Sequence, residues 1–244
     1  MMKLLIAALF LPLFPFSILL NGVLARMRNP LAKCMILLLW PQIGVLVLLA
    51  AKQPVPEGFA AWSLLSSAIY ALRLLTVRDL GLWAGYLACS SLSLIWFRHD
   101  AGVFDMSVSA FWLSLPAAML LLIESSLARR FGAAYAGLYG GLAASSMPRL
   151  SGMLVLTLLA AIATPPAPAF FTMLSLLRRV GIAPAVLVIW LLWGWAAIRL
   201  MQGFLTGGNA REAAADIGKS GALLFAGFLG GIVFVGIYLA GGAL

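Results

Sequence analysis

Three ionisable residues lie within long apolar runs of the sequence: Arg73, Glu124 and Arg199. A charged side chain at membrane depth is costly, so such residues usually face the interior of a helix bundle and pair with one another. Because all three fall in the last turns of their runs, one interpretation is a buried path for protons or other ions. In the alternative interpretation, the long arginine side chains extend to the membrane surface. Glu124 is too short for that, and we expect it to meet Arg73 or Arg199.

Prolines and glycines mark two further places where helices could bend or approach closely. Pro165, Pro166 and Pro168 interrupt one apolar run. Proline removes a backbone donor and breaks a helix, and broken helices often form ion sites in transporters. A simple turn between two spans fits the same pattern. Gly227 and Gly231 form a small-xxx-small pair, which is typical of close helix packing.

Residue types that build catalytic or metal sites are scarce. The one histidine, His99, stands between Arg98 and Asp100 in a predicted loop, where we expect it to be solvated. No glycine-rich phosphate loop and no pairing of a nucleophile with a base is visible. Cys34 and Cys89 lie in apolar runs and predict no disulfide. We therefore expect no metal, no cofactor and no catalytic residue, and the chain is not expected to be an enzyme on its own.

The composition indicates a membrane protein. Of the 244 residues, 64% are hydrophobic and 9% are charged, whereas a soluble domain has about 45–50% apolar and about 25% charged residues. The net charge of +9 comes from basic residues in short loops between apolar runs. This distribution follows the positive-inside rule of membrane proteins. It disfavours soluble enzymes, disordered regulators and proteins with a nucleic-acid partner, and it makes the lipid bilayer an expected partner.

Continuous apolar runs predict an all-α integral membrane protein, a bundle of about eight transmembrane helices with one proline-broken helix. We interpret the first run as a retained helix rather than a secretory signal, because it is long enough to cross a bilayer. A broken helix that crossed twice would add a ninth span. The predicted spans are Leu4–Ala25, Cys34–Ala51, Phe59–Val77, Gly81–Phe97, Ser107–Leu127, Leu150–Leu177, Ala183–Leu205 and Gly221–Leu239.

The basic residues between these spans predict the orientation. With an outward amino terminus, ten lie on the inner side: Arg26, Arg28, Lys33, Arg73, Arg78, Arg129, Arg130, Arg149, Arg211 and Lys219. Five lie on the outer side: Lys3, Lys52, Arg98, Arg178 and Arg179. Because basic loops stay in the cytoplasm, this asymmetry predicts an integral protein of the bacterial cytoplasmic (inner) membrane with the first group inside.

Several motifs in the second half of the chain occur in a recognisable order. They are Gly140-Gly141-Leu142, Met147-Pro148-Arg149-Leu150, Pro165-Pro166, Ala169-Phe170-Phe171 and residues 197–204. In this order they resemble the antiporter-like membrane subunits of respiratory complex I and of Mrp-type cation/proton antiporters. The resemblance extends from about Ser107 to Leu239, and more faintly to the region of Arg73.

The resemblance implies the fold, the division of the chain and its partners. Residues 1–106 would form amino-terminal transmembrane helices. Residues 107–244 would form an antiporter-like half-repeat, with its broken helix near residues 165–168. The expected partners are other membrane subunits of a larger complex, which could be a redox-driven ion pump.

The resemblance also locates the positions that carry protons in the family, and this chain departs from the family there. Where the helix after the break would carry Lys or Glu, this chain has Thr172 or Met173. Where the preceding helix would carry His or Lys, it has Leu113 and Pro116. Because a proton relay needs groups that take up and release protons, we expect a shortened subunit with a scaffolding role. The alternative is an active subunit for proton- or cation-coupled transport, including inorganic-carbon uptake, that uses Glu124 and the broken helix.

Overall fold

The chain folds as a bundle of α-helices. A computed structural model describes residues 1–51, 54–100, 102–138, 147–206 and 216–243, with the backbone alone for residues 241–243. The helices in these ranges are α1 Met2–Phe10, α2 Ser17–Arg26, α3 Pro30–Ala50, α4 Glu57–Leu74, α5 Leu80–Ser93 with its 3₁₀ extension Leu94–Arg98, α6 Val103–Phe131, α7 Pro148–Ala161, α8 Pro168–Leu177, α9 Ala183–Leu205 and α10 Lys219–Ala243. No β-strand occurs in them. The predicted motif Gly140-Gly141-Leu142 and the basic residues Lys52 and Arg211 lie outside the described residues.

Five of the described helical stretches are long and apolar enough to cross a membrane. They are Pro30–Ala50, Leu80–Arg98, Val103–Phe131, Ala183–Leu205 and Lys219–Ala240. A membrane requires that the backbone polar groups of a span be satisfied within the span, which helices achieve. The prediction of an all-α integral membrane protein is therefore confirmed.

The amino-terminal run differs from its prediction. The predicted single helix Leu4–Ala25 is wrong, because α1 ends at Phe10 and α2 begins only at Ser17. Pro12 and Pro15 lie in this gap, and proline can neither donate to the preceding turn nor fit beside it. We call residues 11–16 the first break.

The second interruption was predicted and is present. α7 ends at Ala161 and α8 begins at Pro168, and we call residues 162–167 the second break. α7 has 14 residues and α8 has 10, so they are about 21 Å and about 15 Å long. Neither helix alone would cross a hydrocarbon core of about 30 Å, which favours one broken crossing over two.

Backbone hydrogen bonds bring several helix ends together at one end of the bundle. Leu80 at the start of α5 donates its N–H to the carbonyl of Ala134 (3.0 Å), just after α6. Gly137 donates to the carbonyl of Gly203 (2.8 Å) in the last turn of α9. We call this the basic end. The residues of the predicted inner group near these helix ends are Arg26, Arg28, Lys33, Arg73, Arg78, Arg129 and Arg130.

The opposite end of the bundle holds part of the predicted outer group. Arg98 at the end of the 3₁₀ helix donates to the hydroxyl of Ser175 in α8. Arg179, just after α8, forms an ion pair with Asp100. α8 therefore ends beside the loop between α5 and α6, away from the basic end.

Candidate ion-pair cavity and the two helix breaks

A polar cavity of about 230 Å³ lies among the helix ends of the basic end, and we call it the ion-pair cavity. Its polar lining residues are Asn21, Lys33, Asp79 and Glu124. Nζ of Lys33 lies 3.6 Å from Oε2 of Glu124, and the two side chains are 16% and 18% exposed. The predicted partners of Glu124, Arg73 and Arg199, are thus wrong: its partner is Lys33.

Each charged group has a fixed place because of a local feature of the chain. Lys33 lies in the first turn of α3, which begins early because Asn29 caps it, accepting from the N–H of Leu31 at 3.0 Å. Asp79 caps α5 by accepting from the N–H of Leu82 at 2.7 Å. Glu124 projects from α6. Three helices therefore bring two carboxylates and one ammonium group to a single cavity.

Two glycines of α5 make room for these side chains. A Cβ atom at Gly85 would lie 2.5 Å from Oδ1 of Asn21, so the Asn21 side chain would have to leave its present position. At Gly81 a Cβ would lie 3.3 Å from Cγ of Glu124 and 3.4 Å from Oδ1 of Asp79. The cavity carries two acidic groups against one basic group, so it can attract a proton or a small cation from the adjoining solution.

The other two predicted ion-path residues lie elsewhere. Arg73 is exposed and its guanidinium lies 5.9 Å and 5.8 Å from the ring centres of Tyr70 and Tyr86, within the range of cation–π attraction. Arg199 is also exposed and lines a separate cavity with Arg78. The structure therefore does not bring Arg73, Glu124 and Arg199 together.

Polar contacts extend from Asn21, at the wall of the ion-pair cavity, to one pair of hydroxyl groups. Nδ2 of Asn21 donates to the carbonyl of Ser17 at 3.1 Å and lies 3.2 Å from Sγ of Cys89. The hydroxyl oxygens of Ser17 and Tyr70 are 2.5 Å apart. Sequence analysis did not identify these contacts. The signal was present on α4, where Ser63, Ser66, Ser67 and Tyr70 follow the i, i+3, i+4, i+7 spacing of one helix face.

A second group of hydroxyls joins three helices in the core. Ser67 of α4 donates to the carbonyl of Ser90 in α5 at 2.7 Å, and Ser90 donates to the carbonyl of Ser67 at 2.8 Å. Nε1 of Trp193 in α9 donates to Oγ of Ser90 at 2.9 Å. All three side chains are buried, so these bonds replace water inside the bundle.

The first break is held by donors and acceptors from neighbouring helices. The N–H of Phe14 donates to Oγ of Ser66 at 3.0 Å, and the carbonyl of Phe14 accepts from Nε1 of Trp62 at 2.6 Å. The carbonyl of Pro12 accepts from Oγ of Ser93 at 3.0 Å. The carbonyl of Leu11 accepts from Nε1 of Trp96 at 3.2 Å. Protein groups thus satisfy the backbone that the prolines release.

The second break lies at the surface of the bundle. Pro165 and Pro166 are exposed, whereas Pro168 is buried. The carbonyl of Ile162 accepts from Nε1 of Trp190 at 2.7 Å. Two mainly apolar cavities of about 470 Å³ and about 650 Å³ flank the break, one towards α10 and one towards α9.

Helix α10 approaches the second break through a glycine other than the predicted pair. A Cβ atom at Gly236 would overlap the carbonyl oxygen of Pro166. Gly227 and Gly231 are exposed, and a Cβ added at either would meet no atom within 4 Å in the described part of the chain. The predicted small-xxx-small pair therefore packs against none of the helices described here.

The positions that the resemblance assigns to proton carriers lie inside the bundle. Leu113 and Pro116 of α6 are buried, and so are Thr172 and Met173 of α8. Among the described residues, the fully buried polar side chains outside the aromatic residues and cysteines are all serines and threonines. Their hydroxyls form hydrogen bonds but do not titrate in the physiological range.

His99 behaves as a loop residue. Its Nδ1 lies 3.1 Å from the carbonyl of Trp96, in the turn that ends the 3₁₀ helix. Within the described ranges, no three metal-ligating side chains come together.

Comparison of sequences gives a relative but no family. No family profile matches the chain. An uncharacterized protein of Aquifex aeolicus (strain VF5) is 26% identical over 204 residues, which are 81% of this chain and 83% of that protein.

Among solved structures, a chain of respiratory complex I from Thermus thermophilus superimposes with a TM-score of 0.79 at 20% identity, covering 97% of this chain and 54% of that chain. A chain of the Mrp complex from Dietzia sp. DQ12-45-1b gives 0.73 at 16% identity, with 87% and 43% covered. A chain of the membrane-bound sulfane sulfur reductase, an archaeal respiratory membrane complex, gives 0.74 at 16% identity, with 96% and 51% covered.

This chain thus spans about half the length of those structural relatives. The likeness covers the helices before residue 107 as well as those after it, since 97% of the chain superimposes on the first of them. The chain is therefore an integral membrane protein with the antiporter-like fold found in complex I and Mrp complexes.

Proposed function

We propose that this chain is a scaffolding subunit of a complex I-like or Mrp-like ion-translocating assembly in the bacterial cytoplasmic membrane. One observation carries the proposal. Leu113, Pro116, Thr172 and Met173 occupy buried positions that would suit a relay, but none of these side chains exchanges protons at physiological pH. In this proposal other subunits supply the redox or ion-moving chemistry, and this chain contributes no catalytic residue.

The exposed surface of α10 supports a role in assembly. Four of its large apolar side chains are at least 70% exposed: Leu223, Leu224, Phe234 and Tyr238. Between them, Gly227 and Gly231 leave open space in the described chain, and such pairs allow a second helix to approach closely in a membrane. α10 also packs beside the second break, where Gly236 meets the carbonyl of Pro166. We propose that other membrane subunits dock on this side.

The basic end would face the cytoplasm in this assembly. Basic loops are retained on the cytoplasmic side during insertion. The seven basic residues of the predicted inner group named above lie at the basic end, whereas Arg98 and Arg179 lie at the opposite end. The division into residues 1–106 and 107–244 remains part of the proposal, with the second break inside the second region.

The ion-pair cavity favours the second candidate function, proton- or cation-coupled transport. Glu124 is the carboxylate that sequence analysis selected, and it lies in a polar cavity with Lys33 and Asp79. Asn21 lines that cavity and bonds the carbonyl of Ser17, whose hydroxyl contacts that of Tyr70. Water between Glu124 and the hydroxyl of Ser17 would be needed to carry a proton from the cavity to this pair.

One substitution separates the two candidates. The tagged chain is purified from its native host in mild detergent with its partners, and the assembly is reconstituted in liposomes. Glu124→Gln keeps the size of the side chain but removes its charge and its titration. If the chain is a scaffold, the assembled Glu124→Gln complex translocates ions at the wild-type rate, and the chain alone conducts neither protons nor sodium.

Asp105→Asn is the matched control, because it makes the same chemical change at an exposed position of the same helix. Loss of ion translocation in an assembled Glu124→Gln complex, with the Asp105→Asn complex unaffected, would replace the scaffold by the transport role. A chain that purifies alone, and whose deletion leaves every membrane complex intact, would refute membership of an assembly.

A further inference from the structure

A second polar cavity at the basic end has a different character from the ion-pair cavity. Its volume is about 230 Å³ and it lies between the end of α4, the segment after α6 and the end of α9. Arg78 and Arg199 line it, and none of the described residues that line it is acidic. We call it the arginine cavity.

Close approach of two backbones fixes one wall of the arginine cavity. A Cβ atom at Gly203 would lie 2.8 Å from Cβ of Ala136 and 3.2 Å from the amide nitrogen of Gly137. The bond from the N–H of Gly137 to the carbonyl of Gly203, 2.8 Å long, closes the same contact. Gly137 has φ of 89°, a backbone conformation that favours glycine. The cavity is therefore a built feature between two elements.

The two arginines have charge available for a ligand. The ion pairs of the described residues join Lys33 to Glu124 and Arg179 to Asp100, and neither involves Arg78 or Arg199. A guanidinium group presents a planar fork of donors that matches the oxygens of a phosphate. Two such groups in one cavity without an acidic neighbour fit a phosphate group.

The surroundings indicate where that phosphate comes from. Leu74, Leu75 and Leu200 also line the arginine cavity. Next to it, Leu72 of α4 and Ile198 of α9 are 55% and 53% exposed on the outer surface of the bundle. A phosphate held between arginines, with apolar side chains beside it, matches the headgroup and acyl chain of a phospholipid. Basic pockets between transmembrane helices bind anionic headgroups in this way.

We propose that the arginine cavity binds the phosphate of an anionic phospholipid such as phosphatidylglycerol. Arg78 and Arg199 hold the phosphate, and the acyl chains lie along the apolar surface between α4 and α9. This site does not depend on the scaffold role, because it needs only the fold and the bilayer.

A binding titration tests the site on the full chain in detergent. The probes are short-chain phosphatidylglycerol, phosphatidylcholine of the same chain length, and inorganic phosphate, each followed by calorimetry. We expect phosphatidylglycerol to bind at least about tenfold more tightly than the other two. The quaternary ammonium of phosphatidylcholine offsets the charge of its phosphate and is repelled by the two arginines, and inorganic phosphate has no acyl chains to bury. The variant Arg78→Gln with Arg199→Gln should lose about the same factor.

Two further variants keep the result interpretable. Arg28→Gln removes one exposed arginine that lines neither the ion-pair cavity nor the arginine cavity. The affinity of this variant for phosphatidylglycerol should stay within about twofold of wild type, as is usual for an exposed charge. The pair Arg78→Lys with Arg199→Lys keeps the charge but loses the fork, and should bind more weakly than wild type even if the glutamine pair does not fold. Wild-type affinity for phosphatidylglycerol in both double variants, the glutamine pair and the lysine pair, would overturn the site. Inorganic phosphate or phosphatidylcholine binding as tightly as phosphatidylglycerol would overturn the assignment to an anionic lipid.

Discussion

The first and second breaks both contain prolines that interrupt an apolar helix, yet their surroundings differ. At the first break, side chains of α4, α5 and the 3₁₀ extension bind the released backbone: they are Trp62, Ser66, Ser93 and Trp96. At the second break, Trp190 supplies the one donor from another helix among the bonds described above. The rest of its bonding is local, as in the bond from the N–H of Ala167 to the carbonyl of Thr164 at 2.9 Å.

This difference shows that the neighbours of a broken helix, rather than its prolines, decide what the break does. A break surrounded by buried hydroxyl and indole donors becomes a fixed joint inside the bundle, because side chains of neighbouring helices bond the released groups of Leu11, Pro12 and Phe14. A break with exposed prolines and apolar cavities on both sides keeps part of its irregular backbone at the surface, although α10 covers the carbonyl of Pro166. The first break is a structural joint, and the second is the one available to a partner.

Removing the donors of the first break should have the largest effect on stability. Ser66→Ala with Ser93→Ala leaves the N–H of Phe14 and the carbonyl of Pro12 without their side-chain partners. An unsatisfied buried group costs about 1–3 kcal/mol, so we expect the free energy of unfolding in detergent to fall by about 2–4 kcal/mol.

Ser114→Ala is the matched control for this pair. Ser114 is also fully buried, but its hydroxyl bonds only the carbonyl of Ala110 in its own helix. We expect a loss of about 0.5–1 kcal/mol there, typical of an ordinary hydrogen bond. Equal losses in the control and in the pair would mean that the first break gains nothing from its neighbours.

At the second break, the contact with α10 should be sensitive to a single methyl group. Gly236→Ala places a Cβ against the carbonyl of Pro166, so α10 or the break must move, at about 1–3 kcal/mol for an overpacked contact. The measurement is the free energy of unfolding, together with protease sensitivity of the segment before α10.

The same substitution at Gly227 should act in the opposite direction in the isolated chain. Nothing lies near its Cβ position, and alanine is favoured over glycine within a helix by about 1 kcal/mol. If Gly227→Ala lowered the free energy of unfolding as much as Gly236→Ala, α10 would pack through the predicted glycine pair after all. A larger residue at Gly227 would then test docking in the assembly, where we expect loss of a partner without loss of the fold.

Much of the fold could be predicted from the sequence because its apolar runs are continuous. The predicted span Ala183–Leu205 has the bounds of α9, and the runs that became α4, α5, α6 and α10 were located correctly. The first break was missed although Pro12 and Pro15 are visible, because the length of an apolar run does not show where the backbone finds other partners. Those partners, such as Ser66 and Ser93, are more than fifty residues away in the chain.

The candidate site was only half predictable for a related reason. Glu124 was identified from its depth in the membrane, but depth does not show which helix it faces. Lys33 was assigned to a loop because the run of apolar residues starts at Cys34. The Asn29-Pro30 pair starts α3 earlier, since asparagine is a favoured cap and proline fits the first helical turn. That shift places Lys33 on a helix within reach of Glu124.

The smallest effect is expected where α8 is anchored beyond the second break. Partial burial disfavours the charged form of Asp100, but the hydrogen bond and the positive charge of Arg179 outweigh it and hold the pKa of Asp100 below its usual value. A carboxyl group with a lowered pKa stabilises the fold above the pKa of the unfolded chain, and this contribution is lost as the pH falls through the folded pKa. Asp100→Asn should therefore cost about 0.5 kcal/mol or less at neutral pH, because the side chain of Asp100 is 57% exposed. Unfolding of wild type and variant should become equal once the pH is low enough to protonate Asp100. A difference that persists in acid would mean that Asp100 supports α8 by packing rather than by charge. The end of α8 would then be fixed by side-chain contacts, as the residues of the first break are.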